Sequence, residues 1–72
     1  MNLTKRGSAF MLDIIIKARK NKGYTQKQVA ELAKISEEYI SLIESGKRKP
    51  SVKVAKKLGA ILEIQWTIFF EK

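Results

Sequence analysis

The side chains of this chain that can do chemistry are cations and carboxylates, because its 72 residues include no histidine and no cysteine. This composition excludes disulfides, a thiolate nucleophile, an imidazole base and zinc sites built from those ligands. Two neighbouring carboxylates, Glu37 and Glu38, come nearest to an acid–base pair, but successive residues of a helix point about 100° apart. We therefore predict no enzymatic activity, no metal site and no cofactor.

The cations are in excess and unevenly distributed. Fifteen basic residues against seven acidic ones give a net charge of +8, and the pI is near 10.0. Residues 1–57 contain 14 of the basic and five of the acidic residues, a net charge of +9, whereas residues 58–72 carry a net charge of −1. A basic surface of this density is typical of proteins that bind polyanions. We expect the first part to face nucleic acid and the second to pack against protein.

Helical periodicity dominates the chain, so the elements that must position these charges are predicted to be helices. The fold class is predicted to be all-α, a compact bundle of four to five helices around a central helix-turn-helix. Residues 1–10 are predicted to form a flexible N-terminal segment and residues 11–72 one domain. Gly23 is expected to stop the first helix. The apolar face of that helix consists of Met11, Ile14, Ile15 and Ala18.

Three capping residues mark where the next helices begin. Thr25 and Gln28 match the capping box, in which each side chain bonds the other residue's backbone amide. Ser36 precedes two glutamates that favour a helix N-terminus, and Ser51 follows Pro50, which no helix interior tolerates. The second and third helices are then about eight residues each and are joined by three or four, the spacing of a helix-turn-helix.

A helix-turn-helix can be counted as a unit of twenty residues, which in this chain begins at Gln26. Residues at three positions of this unit agree with the prediction of a helix-turn-helix. The fifth position is Ala30, whose small side chain lets two helices cross closely. The fifteenth and eighteenth positions are Ile40 and Ile43, branched apolar residues that pin the second helix of the unit on the first.

Further short motifs, each at the spacing found in a known family of proteins, extend from Met11 to about Leu62. The resemblance continues in the tail from Trp66 to Glu71. The motifs are Ala18-Arg19, Gly23-Tyr24-Thr25-Gln26, Val29-Ala30, Ile35-Ser36, Ile40-Ser41 and the run from Ile43 to Ser51. With these motifs the chain resembles the Cro/C1 class of helix-turn-helix regulators, the XRE family. The resemblance implies a lambda-repressor-like fold that binds double-stranded DNA.

One position departs from the family pattern. The ninth residue of the unit is usually glycine, because the turn there adopts a positive φ, and in this chain it is Lys34. A left-handed lysine costs about 1 kcal/mol relative to glycine. We therefore expect either a strained lysine or a reshaped turn.

The resemblance places the third helix in the major groove, with the start of that helix at the base edges. Carried over by position, the implied base contacts are Ser36, Glu37, Glu38, Ser41 and Leu42. A carboxylate is repelled by DNA unless it accepts a hydrogen bond from cytosine N4. Two hypotheses stay open: at least one glutamate reads a C·G pair, or both only favour the helix dipole. Leu42 either touches a thymine methyl or faces solvent.

Phosphate contacts are expected at the start of the second helix, from a tyrosine hydroxyl, and in a run of three cations after the third helix. These residues are Thr25, Gln26, Tyr39, Lys47, Arg48 and Lys49. The alternative for the cationic run is a solvated loop without a ligand.

The resemblance also implies a structural ion pair between Arg19 and Glu44, which would tie the first helix to the end of the third. Arginine suits this role because its guanidinium bonds a carboxylate with two parallel hydrogen bonds. The alternative is two surface charges that contribute little to stability.

The aromatic tail contains Trp66, Phe69 and Phe70. These residues either close the core as a fifth helix, form a dimer surface, or lie on a membrane. Core closure is favoured because large aromatic residues dominate burial in small domains, and dimerisation is compatible with it. Membrane binding is disfavoured because Glu63 and Glu71 flank the segment where cations would be expected.

These observations predict a cytoplasmic, sequence-specific DNA-binding regulator, most simply a repressor that binds a pseudo-palindromic operator as a homodimer. One alternative is an antitoxin-type DNA-binding protein whose apolar C-terminal segment binds a protein partner. Another is an interaction domain that has lost DNA binding, which the +9 charge of the first 57 residues opposes. A chain of this length is expected to hold no separate sensing domain, so regulation would come from abundance, proteolysis or a partner protein.

Overall fold

The computed structural model describes residues 7–70 of the chain, with side chains from residue 13 onward. Within this part, four α-helices and a final 3₁₀ helix follow one another and no β-strand is present. The elements are α1 (Gly7–Asn21), α2 (Gln26–Ala33), α3 (Glu37–Glu44), α4 (Val52–Leu62) and the 3₁₀ helix (Trp66–Phe70). The predicted all-α fold is confirmed over the described residues.

Helix α1 begins at Gly7, four residues before the first residue of the predicted apolar face. Residues 1–6 lie outside the described residues, so the division of the chain at residue 10 stays a prediction. Ile15 is buried and its neighbours along the same face, Ile14 and Ala18, are half-buried. The helix ends as predicted, because Gly23 adopts a φ of +76° and its amide donates to the carbonyl of Lys20 at 2.9 Å.

The three predicted N-caps are confirmed. Thr25 Oγ1 accepts from the Gln28 amide at 3.0 Å, and Gln28 Oε1 accepts from the Thr25 amide at 2.8 Å, which completes the capping box of α2. Ser36 Oγ accepts from the Tyr39 amide at 3.0 Å, and Ser51 Oγ accepts from the Val54 amide at 3.2 Å. Each bond satisfies a backbone donor that the first turn of a helix leaves unpaired.

The core surrounds α2, which packs against both α3 and α4, and α1 and the 3₁₀ helix close its sides. Its buried apolar residues are Ile15, Val29, Ala30, Ala33, Ile40, Ile43, Ala55, Leu58, Leu62 and Phe69. The small and branched residues predicted to hold the two motif helices together are all in this set. Packing against α1, α4 and the tail therefore supplies the stability that two eight-residue helices lack alone.

The tail forms the fifth helical element, and Trp66–Phe70 adopts a 3₁₀ rather than an α conformation. The run consists of threonine, isoleucine and three aromatic residues, all weaker helix formers than the lysines, leucines and alanines of α4. Phe69 is buried, while Trp66 and Phe70 are half-buried and meet edge to face, with ring centroids 6.1 Å apart. Closure of the core is the role that this packing supports.

Close approach of the tail to α4 depends on Gly59. A Cβ atom at this residue would lie 2.8 Å from the Cβ of Trp66 and 2.9 Å from the carbonyl oxygen of Ile64. Real Cβ atoms do not approach other heavy atoms so closely, so only glycine lets the tail cross α4 here. The turn between them contains Glu63 at a φ of +59°.

Candidate nucleic-acid interface

The turn between α2 and α3 adopts the positive φ that the sequence comparison anticipated, with lysine in the place of glycine. Lys34 has a φ of +60° and a ψ of +45°. Ile35 donates its amide to the carbonyl of Ala30 at 2.9 Å, and Lys57 Nζ from α4 donates to the carbonyl of Ala33 at 3.3 Å. Bonds to α2 and α4 thus hold the turn, and a left-handed lysine is tolerated without reshaping it.

Helix α3 presents one buried and one exposed face. Ile40 and Ile43 are each 2% exposed and fix the helix on the core. The base-edge candidates lie elsewhere on its surface: Ser36, Glu37, Glu38 and Ser41 are exposed and Leu42 is half-buried. Because residues four apart share a helix face, the structure brings these candidates together as one surface.

The two glutamates at the start of α3 are free of internal partners. In the described part of the chain, neither the Glu37 nor the Glu38 carboxylate makes a hydrogen bond or an ion pair with another residue. Both lie in the first turn of the helix, where carboxylates favour the helix dipole. Each of the two hypotheses drawn from the sequence is compatible with this arrangement.

The three cations after α3, Lys47, Arg48 and Lys49, form what we call the basic loop. All three are exposed, and Pro50 behind them is buried. The amides of Lys47 and Arg48 both donate to the carbonyl of Leu42, at 2.9 and 3.2 Å. The loop backbone is therefore attached to the C-terminal end of α3 and holds its cations beside that helix.

Tyr39 connects α3 to both the basic loop and α4. The guanidinium carbon of Arg48 lies 5.8 Å from the centroid of the Tyr39 ring, a cation–π contact. The amide of Ser51 donates to the Tyr39 hydroxyl oxygen at 3.3 Å. Since the tyrosine oxygen is the acceptor in this bond, its own hydrogen stays available to donate to a phosphate.

A depression of about 350 Å³ opens between α3 and the basic loop. It is lined by Ser36, Glu38, Tyr39, Leu42 and Arg48. Glu37 is not among these residues. The sequence did not predict this concave surface, because it joins residues of α3 to a loop whose path depends on backbone bonds rather than on a local motif.

Arg19 and Glu44 form the ion pair that the family resemblance implied, and each is only 9% exposed. Arg19 Nε donates to Glu44 Oε2 at 2.6 Å and Arg19 Nη2 donates to Glu44 Oε1 at 3.0 Å. The remaining guanidinium nitrogen donates to the carbonyl of Tyr24 at 2.9 Å. Among the described residues no buried polar side-chain atom lacks a partner, so this pair meets the conditions under which a buried ion pair is tolerated.

Gln26 has a second role that sequence reasoning missed. Its Nε2 donates to Glu44 Oε1 at 2.9 Å, so the side chain proposed to meet a phosphate also belongs to the buried network. Eighteen residues separate the two in sequence, and no local pattern signals the contact. Thr25, Lys27 and Gln28 are exposed beside it.

Other kinds of site receive no support from the part of the chain that the structure describes. No helix between residues 7 and 70 is long and apolar enough to cross a membrane. The same residues contain no cluster of acidic side chains that would hold a metal ion. One cation lies against the aromatic residues of the tail: Lys56 Nζ is 5.2 Å from the Trp66 ring centroid.

Comparisons with known proteins agree with this geometry. A helix-turn-helix family model matches residues 15–69. The chain is 54% identical over 55 residues to the "Uncharacterized HTH-type transcriptional regulator YqaF" of Bacillus subtilis (strain 168), covering 76% of this chain and 72% of that protein. It is 43% identical over 54 residues to the "HTH-type transcriptional regulator SlrR" of the same organism, covering 74% of this chain and 36% of that protein.

No solved structure gives a significant match to the chain. The family match nevertheless spans the core, both motif helices, the basic loop and most of the tail. The residues that carried the sequence resemblance are the ones that pack α3 on the core and leave its other face open. The chain belongs to the Cro/C1-type (XRE) helix-turn-helix family of DNA-binding transcriptional regulators.

Proposed function

We propose that this protein is a sequence-specific repressor that binds a pseudo-palindromic operator as a homodimer and occludes a promoter. The observation that carries the proposal is the surface made by α3 and the basic loop. It combines exposed polar side chains at the helix start with three exposed cations attached to the helix end. Such a surface supplies both groups that read base edges and groups that bind phosphates.

The proposed contacts divide by chemistry. Ser36, Glu37, Glu38, Ser41 and Leu42 meet base edges, and at least one glutamate accepts from cytosine N4. The phosphate contacts come from Thr25, Gln26, Tyr39, Lys47, Arg48 and Lys49. The available hydroxyl hydrogen of Tyr39 supports its place in the second group, as does the exposure of the loop cations. The function is binding rather than catalysis.

Dimerisation is proposed through the tail. Trp66 and Phe70 remain half-buried after packing on α4, and the tail region carries none of the cation excess. A two-fold dimer would place two copies of α3 about one helical turn of DNA apart, which matches a pseudo-palindromic operator. Sedimentation with and without operator DNA tests this step, and a chain that stays monomeric on DNA contradicts it. Co-purification of a second polypeptide on the tail would favour the antitoxin-type alternative.

The proposal is tested by selecting bound duplexes from a random-sequence pool, followed by affinity measurements at several salt concentrations. We expect enrichment of two inverted half-sites about one helical turn apart. For six phosphate contacts, the logarithm of affinity should fall with the logarithm of salt concentration with a slope of about −5. No enriched sequence together with a flat salt response would contradict the proposal. A reporter with the selected site across its promoter then distinguishes repression from activation.

A further inference from the structure

Arg48 differs from the other cations of the basic loop because its side chain is held in place. Its guanidinium lies over the Tyr39 ring at 5.8 Å, and Tyr39 is itself bonded to the start of α4. In the described part of the chain, the side chains of Lys47 and Lys49 make no comparable contact. A side chain ordered before binding loses less conformational entropy when it meets its ligand. Arg48 is therefore better prepared for a directional contact than a free loop cation.

Arg48 also shares the depression beside α3 with one of the two glutamates. Glu38 lines that depression and Glu37 does not. The two side chains have complementary partners on a base pair: a carboxylate accepts from cytosine N4, and a guanidinium fork donates to guanine O6 and N7. These groups are neighbours on the major-groove edge of a single G·C pair. The depression thus presents both the group that binds guanine and the group that binds cytosine of a G·C pair.

Electrostatics favours the same pairing. A carboxylate at the start of α3 is repelled by DNA phosphates, and a cation across the depression offsets that repulsion. Arg48 is the cation that lines the depression.

We propose that Arg48 is a specificity-determining residue that reads the guanine of one G·C pair while Glu38 reads the cytosine of the same pair. This assignment rests on the proposed function, sequence-specific binding of double-stranded DNA. It moves Arg48 from the phosphate contacts to the base contacts. It also selects Glu38, rather than Glu37, as the glutamate that meets cytosine.

The test repeats the random-pool selection with the full chain and three variants. Arg48→Lys keeps the charge but removes the fork, Glu38→Gln removes the carboxylate, and Lys49→Ala is the matched control that removes one loop charge. We expect Arg48→Lys to reduce the preference for one G·C pair by about five- to a hundred-fold, and Glu38→Gln to relax the same pair. Lys49→Ala should keep the wild-type preference, bind all sequences more weakly, and lower the magnitude of the salt slope by about 1.

The outcomes separate this assignment from the proposed function. An Arg48→Lys variant that keeps the wild-type preference overturns it, because Arg48 then acts as a phosphate-binding cation. Loss of preference at two different pairs in the Arg48 and Glu38 variants also overturns it. A wild-type chain that enriches no sequence overturns the proposed function and this assignment together. The three substituted side chains are exposed, so each variant should fold, and thermal unfolding checks that it does.

Discussion

The charged residues of this protein occupy two regions that differ in burial and in pairing. In the interior, Arg19 and Glu44 are each 9% exposed, and they bond to each other, to Gln26 and to a backbone carbonyl. On the surface made by α3 and the basic loop, the glutamates and lysines are exposed and have no such partners among the described residues. Interior charges position the helix, and surface charges remain available for a ligand. Substitutions in the two regions should therefore separate stability from affinity.

The largest effect is expected for Arg19→Ala, which breaks the interior pair. Removing one partner leaves the buried carboxylate of Glu44 without its cation, and the free energy of unfolding should fall by about 3 to 5 kcal/mol. Urea denaturation measures this loss, with the exposed neighbour Lys20→Ala as the control. Affinity per folded molecule should change far less. An unchanged melting temperature with lost DNA binding would reverse the account and place Arg19 at the interface.

Gly59→Ala tests the packing of the tail on α4. The new methyl group would meet Trp66 and the Ile64 carbonyl below 3.0 Å, and relieving such overpacking costs about 1 to 3 kcal/mol. The better helix propensity of alanine returns about 1 kcal/mol, so we expect a modest net destabilisation and a changed Trp66 fluorescence. Ala60→Ser, on the exposed side of α4, is the control. Stabilisation with unaltered tryptophan emission would show that the tail does not cross α4 at Gly59.

Lys34→Gly tests the turn that lies between the interior and the surface of α3. The residue lies in the turn that connects α2 to α3 and has a φ of +60°, so glycine should stabilise the fold by up to about 1 kcal/mol. Thermal unfolding measures the gain. Operator affinity per folded molecule should be unchanged, because the turn bonds stay in place. A less stable variant would indicate that the Lys34 side chain makes a contact worth more than its backbone strain.

Lys47→Ala should give the smallest change in stability. Unlike Arg19→Ala, it should lower the affinity for DNA rather than the free energy of unfolding. An exposed loop cation contributes within about 0.5 kcal/mol to folding. Its loss should nevertheless weaken binding to every sequence and lower the magnitude of the salt slope by about 1. Titrations at three salt concentrations check this. A destabilised variant with an unaltered slope would make Lys47 a structural residue instead.

Features that depend on local chemistry were predictable from the sequence. The caps at Thr25, Ser36 and Ser51 were predicted because a hydroxyl at the right offset satisfies an unpaired amide within one turn. The left-handed turn at Lys34 was one of two alternatives that the family resemblance left open, the other being a reshaped turn, and the φ of +60° shows which one the chain adopts. The bounds of α2, α3 and α4 follow from those caps and turns.

Features that depend on contacts between distant segments were not predictable in this way. The bond from Gln26 to Glu44 spans 18 residues, and the depression joins α3 to a loop folded back on Leu42. A fifth helix in the tail was one of the alternatives drawn from the sequence, but the burial of Phe69 and the edge-to-face contact of Trp66 with Phe70 were not predictable, because they depend on how the tail packs on α4.

The central claim is that DNA meets the surface of α3 and the basic loop while the tail stays away from it. Backbone amide chemical shifts, recorded while the protein is titrated with the selected duplex, test this most directly. We predict the largest shifts at the start of α2, along α3 and in the basic loop, with small shifts in residues 58–70 beyond those caused by dimerisation alone. Largest shifts in residues 58–70, with α3 unaffected, would contradict the account.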